Sequence, residues 1–288
     1  MPFNTWDDVS GVAQSVQEDA YFIVREAAVV QGLIKTYRDR TGANTRKSYK
    51  YNSGTAKTIG ESDDLTGDAF TPSADQTLTP AEIGEQFFIT DLRTESEAPE
   101  DILTDAAREL GFAGNDKVET DIVADIASLT GGTVGTAGSI ITWGYVGAAI
   151  AQARNANKNL SVPLACVMHG YQAAVLGKTA SIAGATSIAQ APGFSEQITR
   201  SGMTMAFVYL GVPIYQVFNS VDTGVDFTGG VFPRDAIAID WRRNIRVRGE
   251  RDESRRGIEL NMSAVYAHGV WRPDLGVKFI FDAAPPTS

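Results

Sequence analysis

The sequence predicts an α+β chain whose strands gather toward its end, and three observations carry that reading. Apolar residues recur at helical spacing in three long stretches before residue 160. From Arg234 onward, runs such as "DAIAIDW", "NIRVRG", "RGIELNMSAVYAHGV" and "GVKFIF" have the β-branched and aromatic content of strands. Between the first two helical stretches lies a polar, Gly-rich excursion that follows neither period. The 288 residues, 43% hydrophobic and 21% charged, suffice for one large or two modest domains around a real core.

Taken in order, Val9, Val12, Val16, Ala20, Ile23, Ala27, Val30, Ile34 and Tyr37 form an amphipathic stripe that predicts a helical arm from Asp8 to about Arg38, broken at most once. "RDRTGANTRKSYKY" follows, basic through Arg38, Arg40, Arg46, Lys47 and Lys50, with Tyr49 and Tyr51 alternating as in a short strand. The run from Asn52 to Thr66 has only Ile59 and Leu65 as large apolar residues, and "EIGEQFFITDL" reads as the returning strand. Together these predict a two-stranded arm carrying Glu61, Asp63, Asp64 and Asp68. Loops beyond about 12–15 residues without structure of their own are uncommon inside compact domains, and a lone hairpin is marginal in water. The arm is therefore a lid, a linker, or a segment whose core lies on another molecule.

"APEDILTDAARELGFAGNDKVETDIVADIASLTGG" carries two stripes, Ile102, Leu103, Ala106 and Leu110, then Val118, Ile122, Val123, Ile126 and Leu129. It predicts one long kinked helix or two in series, with Asp116 and Glu119 spaced as a capping box. Ile140, Trp143, Val146, Ile150 and Ala153 mark another helix. "VPLACVM" is a strand buried on both faces, followed by a helical piece at 171–177. "TMAFVYLGVPIYQVF" reads as two strands joined at Gly211, and "VDTGVDFTGG" as a turn-rich loop.

The chemistry is sparse. A net charge of −10 argues against a dedicated nucleic-acid binder, whose affinity comes from basic residues displacing counterions. It is compatible with a protein that encloses nucleic acid without gripping it. A single cysteine, Cys166, excludes an internal disulfide and fits a reducing compartment. "MPFNTWDDVSGVAQ" has neither the basic start nor the apolar core of a secretory signal, so synthesis in the cytosol is expected, with no membrane partner. Two histidines and one cysteine in no ligand spacing give no metal site.

His169, after a buried strand, has the position of a catalytic base, but such a histidine more often bonds the backbone. "GKT" at 177–179 and "DTG" at 222–224 imitate a phosphate loop and a protease aspartate without their contexts. No catalytic residue and no cofactor is expected. The run 241–256 holds seven arginines, among them Arg242, Arg243, Arg246 and Arg248, interleaved with Glu250, Asp252 and Glu253. That mixture suits a protein interface better than nucleic acid. An unsupported arm with mixed-sign charge blocks and no site suggests a chain built to contact copies of itself.

The order of elements, a helical N-arm, a long two-stranded loop, a long helix, a central α/β region and late strands, resembles that of tailed-bacteriophage major capsid proteins. These have the Johnson-type, Hong Kong 97-like shell fold. "GVPIYQVFNSVD", then "GGVFPRDAIAIDWRRNIRVRGERDESRRGIELNMSAVYAHGVWRPDLGVKFIFDA", is similar to the end of such proteins. The resemblance implies an N-terminal arm at 1–45, an extended loop at 46–95, a peripheral domain with its spine helix at 96–136, an axial domain at 137–233 and a return to the peripheral sheet at 234–288. It further implies self-assembly, in the host cytoplasm, into hexamers and pentamers of an icosahedral virion shell that encloses double-stranded DNA without sequence-specific binding. Scaffolding, portal and decoration proteins would be the other partners. No scaffold-like extension precedes the arm, which implies a separate scaffold or none, and no cross-linking Lys–Asn pair is evident. The arm's acids would face basic patches of a neighbour, either Arg38 to Lys50 or the 242–256 arginines, where complementary charge sets register more than affinity.

Other readings stay open at this stage. An encapsulin-type compartment shares the fold and encloses enzymes. An α+β hydrolase would use residues 54–80 as a lid and His169 as base. The late strands also allow an adhesin.

Overall fold

The computed structural model describes residues 28–38, 44–51, 54, 56, 58–61, 67, 69–96, 102–158, 162–183, 205–218 and 226–285. Among the described residues, twelve strands lie in three sheets. β1 (Lys35–Tyr37), β10 (Ile237–Asp252), β11 (Gly257–Val270) and β4 (Ala81–Thr90) form a four-stranded sheet in the order β1-β10-β11-β4. β5 (Thr133–Val134), β12 (Val277–Asp282), β9 (Asp226–Pro233), β6 (Leu164–His169), β8 (Val212–Val217) and β7 (Met205–Tyr209) form a six-stranded one in that order. β2 (Arg46–Tyr51) and β3 (Pro72–Leu78) pair only with each other.

The helices are α1 (Asp91–Ser96), α2 (Ile102–Asp125), α3 (Trp143–Asn157) and α4 (Gly170–Ala183). α2 is a single helix of 24 residues, about 36 Å long at 1.5 Å per residue. Its two apolar stripes bury against two different floors. Ile102, Leu103, Ala106 and Leu110 meet Ile89, Leu260 and Met262 of the four-stranded sheet. Val118, Ile122, Val123 and the following Ile126 and Leu129 enter a second core with Val167, Phe232, Ile237 and Ile239. Burying each of these large side chains is worth about 1.5–3 kcal/mol. α3 and α4 cover the other face of the six-stranded sheet. There Val146, Ile150 and Ala153 pack with Cys166, Met168, Phe279 and Phe281. Central β6 alternates accordingly, Cys166 and Met168 to one core and Val167 to the other.

The structure corrects five sequence expectations. The helical stripe does not continue to Arg38. Residues 30–32 form one 3-10 turn and Lys35–Tyr37 is a strand parallel to β10; the stripe before residue 28 lies outside the described residues. The arm's second strand is β3, inside the stretch read as polar excursion. "EIGEQFFIT" instead pairs with β11, Ala81 opposite Tyr266 through Thr90 opposite Gly257. Glu119 caps nothing on its own helix, because it stands mid-helix (its role follows below). The latter half of "VDTGVDFTGG", from Asp226, opens a buried strand that runs to Pro233 rather than a loop; its first half lies outside the described residues. Finally, 234–288 does not return to one sheet as a whole, since β12 joins the six-stranded sheet between β5 and β9.

Candidate functional site

The arm is fastened to the body at one buried ion pair. "AIAIDW" places Asp240 in an apolar strand, and it is fully buried. Its Oδ2 lies 3.2 Å from Arg46 Nε and 2.9 Å from an Arg242 guanidinium nitrogen. Arg46 opens β2, and its guanidinium stands 4.2 Å from the centre of the Tyr37 ring, which leans on Trp271 at 5.4 Å. Leu78, closing β3, is buried against Ala238 and Ala267. Both strands of the arm thus leave from β10, beside the N-arm strand β1. Removing one member of such a pair leaves a buried charge uncompensated, at a cost of about 3–5 kcal/mol.

Lys50 Nζ reaches Asp274 at 3.1 Å. Tyr51 and Phe70 stack on each other, centroids 4.8 Å apart and 7° from parallel, yet remain 53% and 72% exposed. Glu61 is exposed as well. Tyr49 also faces outward. Three large aromatic side chains left in water on one arm are a surface without its cover.

The arginine run occupies the hairpin of β10 and β11 and divides into two parts. At the far end Arg251 and Arg255 are both paired. Arg251 forks onto Asp91 at 3.1 and 2.9 Å and meets Glu253 at 2.6 Å. Arg255 reaches Glu259 at 3.2 Å and lies over Phe88. At the near end β10 bulges. Trp241 opposes Tyr266, Arg243 opposes Val265 and Arg246 opposes Ser263, so β10 carries two extra residues there. The bulge turns its side chains around a pocket of about 710 Å3 lined by Arg38, Trp241, Arg242, Arg243, Asn244, Ile245, Arg246 and Val265. Arg243 pairs with Glu82. Arg246 Nε donates to Ser263 Oγ at 3.2 Å. Loss of solvent, then the nearby Arg243 and Arg248, lower the Arg246 pKa.

Of the residues singled out in the sequence, Arg38, Arg242, Arg243 and Arg246 come together, with Arg46 joined to them through Asp240. Arg248 lies further along β10 opposite Asn261, and Lys47 is exposed on the arm. Arg40, Asp63, Asp64 and Asp68 lie outside the described residues, as does "DTG" at 222–224. Sequence reasoning missed Asp240, although a lone acid within an apolar strand signals a buried partner.

It also misread Glu119, which is 1% exposed. Its Oε1 accepts the Val29 and Val30 N–H groups at 2.8 and 2.6 Å, and its Oε2 that of Gln31 at 3.2 Å. The carboxylate thus clasps the N-arm to α2. Burial raises its pKa, against the three donors that lower it. Further along α2, Asp121 and Asp125 meet β11. Tyr266 Oη donates to Asp121 at 2.6 Å, and His268 Nδ1 lies 2.9 Å from Asp125.

The position of a catalytic base is filled by a structural histidine. His169 Nδ1 accepts the Tyr171 N–H at 3.2 Å, and the His169 backbone N–H donates to Gln172 Oε1. The rings of Tyr171, Phe218 and Phe227 surround it, and burial lowers its pKa. Cys166 is buried among apolar groups, which pushes its thiol pKa up, away from a nucleophilic thiolate. Lys178 of "GKT" stands inside α4 rather than opening a helix. Among the described residues no group of three acid, His or Cys side chains could hold a metal, and no helix is long and apolar enough to cross a membrane.

No protein-family model matches the sequence, and no curated protein does. Solved structures match over nearly the whole chain. The acid-stable capsid of Helicobacter pylori bacteriophage KHP30 is 12% identical, with a TM-score of 0.74 and 99% of both chains covered. The capsid of cyanophage P-SCSP1u is 13% identical, with a TM-score of 0.66 over 94% of this chain and 92% of that one. Mycobacterium phage Che8 provides a third, 18% identical, with a TM-score of 0.63 over 90% and 94%. At such identities the likeness is one of fold, and the chain has the Hong Kong 97-like shell fold.

Proposed function

We propose that this chain is a major capsid protein, assembling through pentamers and hexamers into the icosahedral head shell of a tailed phage around its double-stranded DNA. The observation that carries the proposal is the two-way coverage. The chain spans 99% of the KHP30 capsid chain and is itself spanned to 99%, so the fold accounts for the whole molecule. Residues 1–45 serve as N-arm, 46–80 as the extended loop, the region of α2 with the four-stranded sheet as peripheral domain, and the six-stranded sheet with α3 and α4 as axial domain. The exposed Tyr49, Tyr51 and Phe70 of the loop lie on a neighbouring subunit. The net charge of −10 suits a wall that confines DNA without adhering to it. The role is structural. His169, the only base the hydrolase reading had, is enclosed by rings and backbone bonds. The virion is its place of action, with scaffolding, portal and decoration proteins as further partners.

Electron microscopy of the purified protein, with its mass by light scattering, tests this. Closed particles of uniform size or rings of five and six are expected. Deleting 54–69 spares β2 and β3 and should leave a folded subunit that no longer closes shells. A deletion variant that still does so refutes the role given to the arm.

A further inference from the structure

We propose that His169 is an acid-sensitive latch: as a neutral ring it caps α4 and joins it to the end of β8, and taking up a proton opens that junction. The proposal goes beyond the shell reading and concerns the folded chain, whether or not copies of it assemble.

The junction is built as a capping box. Strand β6 ends at His169 and α4 begins at Gly170, so His169 is the N-cap of that helix. Its Nδ1 accepts the N–H of Tyr171, the second helical residue, at 3.2 Å. Gln172, the third, reaches back, and its Oε1 accepts the His169 backbone N–H at 3.2 Å. A Ser/Thr-x-x-Glu/Gln box makes the same two reciprocal bonds; here it is written "HGYQ" (169–172). A serine hydroxyl or an asparagine oxygen keeps its lone pairs through neutral pH. An imidazole in that place stops accepting once it is protonated.

A second proton has nowhere favourable to go. With Nδ1 as acceptor, the ring's one proton stands on Nε2, and the ring also hydrogen-bonds the Phe218 backbone. A proton added at Nδ1 would point at the Tyr171 N–H, donor against donor. It would also set positive charge at the N-terminus of α4, the positive end of the helix dipole. His169 is 6% exposed, and the rings of Tyr171, Phe218 and Phe227 surround it at 4.8, 5.8 and 5.4 Å. Burial holds its pKa below the ordinary value, against the Phe218 bond that raises it.

Among the described residues, no carboxylate is bonded to the ring. Asp226, beside Phe227 on β9, accepts the Gly138 N–H at 2.7 Å, and Asp282, beside Phe281 on β12, accepts that of Ala284 at 2.7 Å. β6 has no other titratable group than Cys166, and β8 has only Tyr215, opposite Val167. On α4, Tyr171 touches the ring, and Lys178 lies about two and a half turns along the helix.

What opens is limited by Gln172. That side chain is buried, and its Nε2 donates to the Phe227 and Phe281 carbonyls at 3.1 and 2.9 Å, so α4 stays attached to β9 and β12 at any pH. Phe218 has less to hold it. It lies over Gly170 so closely that a Cβ there would collide with its ring, yet it is 57% exposed. Protonation therefore frees the first turn of α4 and Phe218 rather than the whole helix. His268, the other histidine of the chain, answers acid in the opposite sense. Asp125 and Asp121 face it, with Lys117 and Tyr266 bonded to Asp121, and the Asp125 bond raises its pKa.

The test follows the full chain. NMR of ring-labelled histidine gives two titrations, which His268→Gln assigns. We expect His169 to titrate below about pH 6.5, the ordinary value, and His268 above it. The stability that His169 contributes is then whole above that value and is lost as pH falls from it toward the folded pKa. Over the same titration, hydrogen exchange corrected for its intrinsic pH dependence should show the start of α4, Tyr171 first, losing about tenfold in protection, the effect of a lost cap. The amides of 118–123 in α2 should keep theirs. His169→Asn retains a good capping acceptor that does not titrate, and should hold the protection of α4 through the same acid range. A His169 that titrates at or above about pH 6.5 overturns the proposal. So does α4 protection that ignores the titration, or His169→Asn with the same acid loss as wild type. Should the variant be insoluble, the two wild-type measurements decide by themselves.

Discussion

Glu119→Ala is the change whose consequence the structure specifies most fully. The carboxylate accepts three backbone N–H groups, two of them from the buried Val29 and Val30. In a continuous helix those donors would bond to carbonyls four residues earlier. Here Glu119 supplies the acceptors. Each buried donor left without a partner costs about 1–3 kcal/mol. Relief from burying a charge offsets part of that, so we expect a net loss of about 3 kcal/mol. Glu119→Gln keeps one oxygen for Val29 and Val30 but turns an NH2 toward the Gln31 N–H, and should cost about 1–2 kcal/mol.

Denaturant unfolding of the unassembled chain measures the loss, and hydrogen exchange locates it. The amides of 29–31 should lose protection before those of α2. The pH dependence has a definite sign. Because the folded pKa of Glu119 is raised, the folded state holds an extra proton between the ordinary carboxylate range and the raised value. Stability therefore falls as pH rises through that window and is flat above it, and Glu119→Gln removes the slope. A loss below about 0.5 kcal/mol for Glu119→Ala, within the scatter of ordinary surface changes, with amides 29–31 still protected, would refute the clasp.

Further expectations follow from other contacts. The Asp125 hydrogen bond raises the His268 pKa, so its stabilisation is complete below about pH 6.5, the unfolded value. It is lost as pH climbs through the folded value; His268→Gln should flatten that limb in denaturant midpoints taken across pH 6–9. A Cβ on Gly229 would lie 2.5 Å from the Val167 carbonyl and 2.4 Å from the Phe279 ring. Gly229→Ala should thus cost about 3 kcal/mol or more by forcing β9 off its neighbours, read as a lowered melting temperature or insoluble protein. Leu210 and Gly211 both have positive φ, 50° and 74°, at the turn joining β7 to β8. Asparagine tolerates that region better than leucine, so Leu210→Asn should gain about 0.5–1 kcal/mol by thermal melt. Asp240→Asn should cost about 3 kcal/mol and loosen the arm, measured as faster proteolysis between 46 and 78.

What the sequence determined by itself is whatever depends on local period. The stripes from Ile102 to Leu129, the helix through Val146 and Ile150, the doubly buried "LACVM" and the turn at Gly211 were legible because each side chain's direction follows from its neighbours in the chain. The resemblance to a capsid subunit likewise lay in the order of these elements. Tertiary structure decided which surfaces meet. "KTY" continues a helical stripe on paper, yet the edge of β10 offers its backbone partners in a parallel ladder, and Glu119 takes up the N–H groups of residues 29–31 just before it. "DFTGG" looks like a loop for its glycines, which are there because a Cβ on Gly229 would strike Val167 and Phe279 and one on Gly230 would strike Ile126. The arm's true return strand pairs with β2 and meets a core at Leu78, its last residue, so its sequence carries no apolar period. The arginines of 241–256 read as one block. Only the β10 bulge, an offset of two residues against β11, sets those around the pocket apart from those at the hairpin's far end. Periodicity encodes where a side chain points, whereas a partner is chosen by the desolvation and hydrogen bonding of groups distant in sequence, and that is resolved only when the sheets form.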